Sequence, residues 1–513
     1  MTRLGRWRTA GVLALVLAAV VSLRAQDQAP PQQADNATKP EIRMTQTQAK
    51  ELFASVDTIM QFASDDSHLV IKSKVKRRLT SRDAVEKYLV DKMKDDKDAK
   101  RLERSEIVLK KFGLLDQDFH LQPFLVSLLK EQIAGYYDSK TKTVNLLDWI
   151  EPDTQKPVLA HELTHALQDQ RVNLEKWEDE SDEDLSHNVT EDNQHIAIDE
   201  QDTAREAVLE GQAMAVLVDY SLKPMGQSIL SNPDLVKSKA DEQGADADSP
   251  VLARAPLLLQ EALLFPYREG LKFEVDLLAD KGPAGAFGGV LDHPPATSFE
   301  IMNPRAYEAH VKVPLLKMPD VHPLLDSEYA PYDVGVMGQL DVRILSELFG
   351  GPQTAAALTQ AWAGGIYYAV QKKNAPDKNS TASISLLYLS QWKSSEAAAG
   401  FAKMYADELN KQFSTVKRDT DAEADEGEQI FKTNEGPVLI SRTANTVFVS
   451  ESFDLTLARK LEFLMLGAQQ GAGQGQAIAS TRAGHPLTGS MVDFMAGCGL
   501  MRAATAHGAA RLY

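Results

Sequence analysis

Apolar residues recur at helical spacing through much of the chain before residue 311, and this pattern predicts a mainly helical N-terminal part. Two short strands are predicted over residues 135–146, where aromatic and β-branched positions flank an Asp-Ser-Lys-Thr turn. A Gly-rich loop without a phosphate-binding lysine motif is predicted over residues 282–289. Helices are predicted over most of 41–130, with a break at 112–115, and over 121–133, 157–170, 203–218 and 257–278.

The apolar pattern after residue 311 predicts strands and helices in turn, and we interpret residues 311–466 as a smaller α+β module. Its strands are predicted over 383–389, 428–432, 438–442 and 447–451, and its helices over 394–413 and 455–466. Gly, Ala and Gln dominate residues 467–513, so a low-complexity, disordered tail is predicted there. Residues 175–202 are strongly acidic and are predicted to be a solvated loop, with a calcium site or a cleft rim as alternatives.

The predicted fold class is therefore α+β, with two parts. Residues 41–310 form a mainly helical domain with a small sheet beside one of its helices, and residues 311–466 form the module. Residues 293–300 carry a helix-start signature, with Thr297 or Ser298 as the expected N-cap.

The N-terminus has the pattern of a secretory signal. Three arginines within the first eight residues precede an apolar run, Gly11–Leu23, which is short for a transmembrane helix. We predict a signal peptide over residues 1–25, a polar Pro-rich linker over 26–40, and export to the periplasm or the medium without stable membrane insertion afterwards. An uncleaved N-terminal membrane anchor is the alternative.

Charge and cysteine content narrow the class of protein further. The formal net charge of −18 argues against nucleic acid or an anionic membrane surface as the main partner. Cys498 is the single cysteine, so no intramolecular disulfide can form. Stability outside the cytoplasm must then come from burial of the core or from a bound metal.

The most informative motif is His161-Glu162-Leu163-Thr164-His165, on a helix whose start Pro157 would suit. Two histidines four residues apart lie on one helical face, so both imidazoles can reach one ion. A catalytic zinc takes three protein ligands and leaves a position for water, beside which Glu162 can act as general base. The alternative is a core helix whose two histidines are hydrogen-bonded and bind no metal.

A third ligand is expected from the helix predicted over 203–218. Glu206 and Glu210 both lie on its apolar pattern, and a buried carboxylate needs a partner because burying an isolated charge is very costly. A zinc ion bound by the two histidines would be that partner. The residues alone allow either glutamate to reach it.

The motif followed by a Glu on a later helix resembles the gluzincin metallopeptidases. Residues 209–213, Leu-Glu-Gly-Gln-Ala, are similar to the Asn-Glu-Gly-Phe-Ala run of the zinc aminopeptidases, and this resemblance implies Glu210 as third ligand. Thermolysin-like enzymes carry an Asp four residues after that Glu, where this chain has Met214. Glu206 as ligand with Glu210 as its hydrogen-bonding partner is therefore the alternative.

The chain is more closely similar to a largely uncharacterised group of exported bacterial HEXXH proteins. The shared pieces are a Gly-Tyr-Tyr-Asp strand at 135–138, HELTHALQDQ at 161–170, the Leu-Glu-Gly-x-Ala helix, and a segment with a Pro-Pro pair over 294–307. The likeness covers about residues 80–310. The Gly-Ala-Met-Glu-Asn motif of the aminopeptidases is absent, which weakens an aminopeptidase assignment.

We therefore expect a zinc metallopeptidase with a zincin-like domain that hydrolyses polypeptide substrates outside the cytoplasm. His161, His165 and Glu210 would hold Zn²⁺, and Glu162 would be the general base. Asp169 and Asp202 are candidates to orient an imidazole. Candidates for the donor to the oxyanion are Tyr136, Tyr137, His195, Arg205, His293 and Tyr307.

Two rival functions remain open. One is a secreted binding or assembly protein on a peptidase scaffold, with a structural or vestigial zinc. The other is a zinc hydrolase of non-peptide amides or esters, since zinc would activate the same water. The strand pair at 135–146 has two interpretations as well: an edge that pairs with an extended substrate, or a plain hairpin that covers the core.

Overall fold

A computed structural model describes residues 43–85, 87, 96–132, 135–177, 188–242, 250–313 and 315–470. The predicted signal peptide, the linker and residues 471–513 of the predicted tail lie outside these ranges. Within them, no helix combines the length and apolar character needed to cross a membrane.

The fold is α+β, with one small and one large sheet. Up to residue 310 the elements are α1 (Gln46–Ser67), β1 (Lys76–Thr80), α2 (Asp96–Lys111), α3 (Leu121–Gln132), β2 (Tyr136–Asp138), β3 (Thr143–Leu147), α4 (Pro152–Val172), α5 (Leu174–Trp177), α6 (Val189–Ile198), α7 (Gln201–Leu222), α8 (Pro233–Glu242), α9 (Leu257–Pro283), α10 (Val290–Asp292), α11 (Ser298–Met302) and α12 (Pro304–Glu308). Beyond it lie α13 (His322–Leu325), β4 (Tyr329–Val336), α14 (Gln339–Ala361), β5 (Trp362–Lys372), β6 (Ile384–Trp392), α15 (Ser395–Asp407), β7 (Val416–Arg418), β8 (Glu428–Thr433), β9 (Gly436–Thr443), β10 (Thr446–Glu451) and α16 (Leu455–Gln470).

The small sheet has the strand order β1-β3-β2 and lies beside α4. β2 and β3 form the predicted antiparallel pair, with Tyr137 opposite Val144. β1 runs parallel to β3, and this strand was not foreseen within residues 41–130, which were predicted to be mostly helical. Its sequence, Lys-Arg-Arg-Leu-Thr, has too few apolar residues to predict a strand. The strand is stabilised instead by pairing with β3, more than 60 residues away.

Helix α4 carries the HEXXH motif through the interior of the protein. Every residue from Val158 to Asp169 is buried, so the helix has no exposed stripe over this stretch. It begins earlier than expected, since Pro152 occupies the first turn and Pro157 lies inside the helix. The expectation of a start at Pro157 is therefore wrong, and Pro152 supplies the fixed φ that suits a helix N-terminus.

Helices α7 and α9 approach each other closely at a pair of glycines. A Cβ on Gly211 would lie 2.3 Å from the carbonyl carbon of Gly270, and a Cβ on Gly270 would lie 2.1 Å from the carbonyl oxygen of Ala207. No side chain fits into either gap. The two glycines thus set the separation of these helices directly beside Glu210.

Two predicted loops are helical. Residues 284–289, predicted as a Gly-rich loop, form a π-helix after Gly282 ends the α-helical run with φ of 64°. Residues 189–198, within the predicted acidic loop, form α6, whose N-cap Asn188 accepts from the peptide N–H groups of Thr190 and Glu191. In both segments tertiary contacts outweigh a sequence that lacks an apolar helical pattern.

The large sheet is antiparallel with the order β4-β5-β6-β10-β9-β8-β7. One face packs with α16 and with Ile196 of α6 in a separate core. The other face joins the main core, in which the Phe112 ring meets Tyr367 and Tyr388 edge-on at 5.5 and 6.0 Å. Residues 311–466 therefore share a continuous core with the helices that precede them.

The predicted cap is present in the structure, whereas the long helix α14 of the module was not predicted. Thr297 is the N-cap of α11 and accepts from the peptide N–H of Glu300, as the sequence predicted. The closing helix is longer than expected, since α16 continues to Gln470, beyond the predicted boundary at 466.

A pair of half-buried carboxyl groups joins α1 to α7. Asp66 and Asp219 are hydrogen-bonded to each other, and the Phe62 ring meets the Tyr220 ring beside them at 5.2 Å. Burial and the neighbouring carboxylate of Asp219 raise the pKa of Asp66 from 3.8 to about 8, although Lys223 opposes the shift. Burial also raises the pKa of Asp219 to about 6, against the peptide N–H of Ile229 and the Asp66 hydrogen bond.

This pair predicts a falling stability as pH rises from about 4 to 8. The folded pair retains a proton that the unfolded carboxyls release near 3.8, so its contribution is complete below that pH and is lost through about 6 to 8. Asp66→Asn, which keeps a donor to Asp219, should flatten the slope of the unfolding free energy over this window. Urea denaturation at several pH values measures it, and an unchanged slope in the variant would contradict the assignment.

Candidate metal centre

Two histidines from α4 and one glutamate from α7 converge in the core. His161 Nε2 lies 3.0 Å from one oxygen of Glu210, and His165 Nε2 lies 3.5 Å from the other. The two Nε2 atoms are 3.1 Å apart. One ligand atom from each of the three residues lies within 4.8 Å of the others, so this group could hold a metal ion.

Of the two glutamates on α7 that could supply a third ligand, only Glu210 lies at the level of the two imidazoles in the described part of the chain. Among the described residues, the potential ligands that converge are His161, His165 and Glu210, and Glu206 is not one of them. Glu206 lies one turn earlier on α7 and is also buried. The geometry thus favours Glu210 as the carboxylate beside the imidazoles.

A glutamine of α4 fixes the orientation of one imidazole. Gln168 Nε2 donates to the Leu209 carbonyl at 3.0 Å and to Gln212 Oε1 at 2.9 Å, so Gln168 Oε1 faces His165 Nδ1 at 2.8 Å. An amide oxygen only accepts, so His165 Nδ1 must carry the hydrogen. His165 Nε2, on the side of Glu210, then carries the lone pair that a metal ion requires.

The chain of amides continues into the π-helix. Gln212 Nε2 donates to the carbonyls of Ala286 and Phe287, at 3.1 Å each, which leaves its Oε1 to accept from Gln168. Both glutamines are fully buried. Residues 284–289, to which the sequence assigned no chemistry, therefore support the position of His165 from a third element.

The electrostatics of the group call for a cation. Burial would raise the pKa of Glu210, but His165 and His161 beside it hold the pKa well below its usual range. A carboxylate then faces two imidazole nitrogens at contact distance, and all three side chains are at most 2% exposed. A metal ion bound to these three groups would satisfy the lone pairs of all of them, so the residues present fit a metal.

Glu162 is turned toward the small sheet. The peptide N–H of Tyr137 on β2 donates to Glu162 Oε2 at 2.7 Å. The backbone of Gly135, just before the strand, lies so close that an added Cβ would be 3.9 Å from Glu162 Cγ. The carboxylate of the predicted general base is therefore held where β2 meets α4.

The two aspartates predicted to orient an imidazole do not do so at His161. Asp169 binds the Tyr137 phenol, the Lys142 ammonium and the Leu174 peptide N–H. His161 Nδ1 has no hydrogen-bond partner in the described part of the chain, so neither Asp169 nor Asp202 bonds to it. The role predicted for these aspartates belongs to Gln168, on the other histidine.

Several predicted oxyanion donors are engaged elsewhere. The Tyr137 phenol donates to Asp169 and the Tyr307 phenol donates to the His293 carbonyl at 2.6 Å. Arg205 donates to the Trp177 carbonyl at 2.7 Å, and His195 lies 3.2 Å from Asp199. These contacts weaken the case for all four as donors to a substrate.

The sequence reasoning missed one aromatic residue at the centre. The Tyr267 ring, on α9, stacks nearly parallel to the His161 imidazole, with centroids 6.3 Å apart and an interplanar angle of 16°. It is buried and lies three residues before Gly270, the glycine that lets α9 approach α7. No local motif marks Tyr267, because only the crossing of the helices brings it to His161.

No protein-family model, curated protein or solved structure matches this chain. The motif in the sequence and the geometry of the site therefore carry the evidence on function.

The amide chain predicts a specific loss of metal affinity. If the group binds a divalent metal ion, Gln168→Ala should weaken that binding by about 10- to 100-fold, because it removes the acceptor that fixes the His165 tautomer. Gln170→Ala is the matched control, since this glutamine lies on the same helix but is only partly buried and bonds to residues 72 and 73. Competition with a chromophoric chelator measures both affinities, and equal values would show that Gln168 does not support the site.

Proposed function

We propose that the protein is a zinc-dependent metallopeptidase with a zincin-like domain of the gluzincin type, acting outside the cytoplasm. The observation that carries the proposal is the buried convergence of His161, His165 and Glu210, with Glu162 adjacent on the same helix. The N-terminal pattern of a secretory signal supports the location.

Zinc is the metal that this donor set favours. Two imidazole nitrogens and one carboxylate are the protein ligands of many catalytic zinc sites, in which a fourth position is left for water. When bound, zinc supplies Lewis-acid chemistry that lowers the pKa of a water molecule and polarises a carbonyl group. His161 and His165 would contribute their Nε2 atoms, and Glu210 its carboxylate.

Glu162 is proposed as the group that moves the proton. A carboxylate next to the first ligand can accept a proton from the attacking water and deliver it to the leaving amine. The Tyr137 peptide N–H donates to Glu162 Oε2 at 2.7 Å and fixes the position of this oxygen. The Gln168 hydrogen bond meanwhile holds His165 in the tautomer required of a ligand.

A polypeptide substrate is supported by the small sheet. Among the described strands, β2 pairs with β3 alone, so it is an edge strand, and its Tyr137 N–H is bonded to Glu162 of α4. The rest of such an edge can bind an extended peptide through main-chain hydrogen bonds. An ester or non-peptide amide would have no use for such an edge, and we therefore favour a peptide.

A second function is favoured by one observation. The three potential ligands and Glu162 are at most 2% exposed, a degree of burial that suits a structural metal in a binding or assembly protein. A structural site, however, does not require a glutamate next to its first histidine. Both functions require bound metal, so metal content does not distinguish them. Hydrolysis assays do, because only a peptidase cleaves a polypeptide.

The ligand assignment predicts the metal content of two variants. Purified wild type should contain about one zinc per chain, Glu210→Ala should lose it, and Glu206→Ala should retain it. Elemental analysis of the three proteins measures this. Loss in Glu206→Ala alone would move the third ligand one turn along α7, and a wild type that takes up no zinc would refute the proposal.

If Glu162 is the general base, its replacement should abolish hydrolysis without releasing the zinc ion. Glu162→Gln should retain zinc while hydrolysis of a denatured protein such as casein falls by roughly 100- to 10,000-fold, the range for loss of a general base. The matched control is Glu51→Gln, an exposed position on α1. Full activity in Glu162→Gln would eliminate this mechanism, and a zinc-loaded wild type inert toward proteins would favour the binding function.

A further inference from the structure

We propose that Tyr137 is a positioning residue for Glu162. It fastens the edge strand β2 to α4 at two points, through its peptide N–H and through its phenol. The phenol anchors the strand at Asp169, and this anchor keeps the peptide N–H on the Glu162 carboxylate. The effect of this two-point attachment on catalysis rests on the function proposed above. The attachment itself is independent of that function.

The first point of attachment is a hydrogen bond from the Tyr137 peptide N–H to Glu162, outside the pairing of β2 with β3. Tyr137 pairs with Val144 of β3, but its peptide N–H is directed to Glu162 Oε2 at 2.7 Å. A bond between a backbone donor and a carboxylate is stronger than one between neutral groups. A glutamate side chain has several rotatable bonds, and this donor selects one position of its carboxylate.

The second point lies two helical turns further along α4. The Tyr137 phenol donates to Asp169 Oδ2 at 2.7 Å, and Asp169 follows Glu162 by seven residues on the same face of the helix. Burial, together with Asp169, raises the pKa of Tyr137 well above its usual value, so the phenol stays a neutral donor. One residue thus spans about 10 Å of the helix.

Asp169 is itself fixed by other groups. The Lys142 ammonium lies 2.9 and 2.8 Å from its two oxygens, and the Leu174 peptide N–H donates to it at 3.1 Å. Lys142 stands directly before β3, so Asp169 holds the hairpin both at β2 and at the turn that leads into β3. The Asp169 side chain is 1% exposed, and its satisfied charge makes a rigid anchor.

The strand needs this anchor because it is short. β2 contains three residues at the edge of the small sheet and, among the described strands, pairs with β3 alone, so few main-chain hydrogen bonds hold it in place. Without the phenol bond, the strand could shift from α4 and carry the Tyr137 peptide N–H away from Glu162. If the strand shifts, the Tyr137 peptide N–H should therefore lose its hydrogen bond to Glu162 before other amides are affected.

The test compares two tyrosine-to-phenylalanine variants, each of which removes one phenol hydroxyl that donates to a carboxylate. Tyr137→Phe removes the bond to Asp169. Tyr405→Phe removes a buried bond of the same 2.7 Å length to Glu451 in the C-terminal module. Hydrogen–deuterium exchange resolved to single amides is measured at position 137 in the zinc-loaded proteins. Glu162→Ala serves as reference, since it removes the acceptor and should accelerate exchange at this amide.

The expected result is specific to Tyr137→Phe. Exchange at position 137 should accelerate about tenfold, the change expected for loss of one hydrogen bond, while the Tyr405→Phe protein retains the wild-type rate. Hydrolysis of casein should show a kcat about tenfold lower with little change in KM, because positioning of the base acts on turnover. Zinc affinity should stay at the wild-type value.

Asp169→Asn, which loses the charge that Lys142 neutralises, provides a second variant with the same expected direction. Unchanged exchange at position 137 in both variants would overturn the proposal. So would equal losses of thermal stability in Tyr137→Phe and Tyr405→Phe with an unchanged kcat, because that pattern denotes a purely structural bond. A wild type without hydrolytic activity would refute the proposed function, and the exchange rates would still decide whether Tyr137 positions Glu162.

Discussion

The structure depends on a carboxylate buried between two imidazoles. Glu210 has no exposed surface, and an uncompensated charge in such a place would cost several kcal/mol at least. His161 and His165 supply the first compensation, and a metal ion would complete it. Most other features of the core can be understood as means of bringing these three side chains, which belong to two helices, to one point.

Packing around the centre follows from that requirement. The glycine pair Gly211 and Gly270 lets α9 lie directly against α7, and this places Tyr267 on the His161 ring. The buried Gln168 and Gln212 then link α4, α7 and the π-helix through amide bonds whose directions are fixed. A helix such as α4, buried on all sides, can satisfy such groups only within the protein, so the polar network and the close packing require each other.

The sequence predicted those parts whose signals are local. The HEXXH helix, the strand pair around the Asp-Ser-Lys-Thr turn and the Thr297 cap all follow from nearby residues, and the structure contains them. The parallel strand β1, helix α6 and the π-helix were missed because their stabilising partners are distant in the chain. Gln168 stood within the predicted motif, but its role depends on Gln212, which is 44 residues away. Distance along the sequence, more than any unusual chemistry, limited the prediction.

The C-terminal module is joined to the helices that carry the candidate metal ligands through α6, the helix that directly precedes α7. Asp192 of α6 lies 3.1 Å from the His322 imidazole, and Ile196 enters the core of the module. Asp199, between α6 and α7, accepts from the Val336 peptide N–H of β4 at 2.7 Å. The module therefore holds the start of α7, the helix that carries Glu210 two turns later. Buried hydrogen bonds and apolar contacts at that junction link the orientation of Glu210 to the large sheet, so residues 311–466 support the candidate metal centre although they contribute no ligand to the group formed by the described residues.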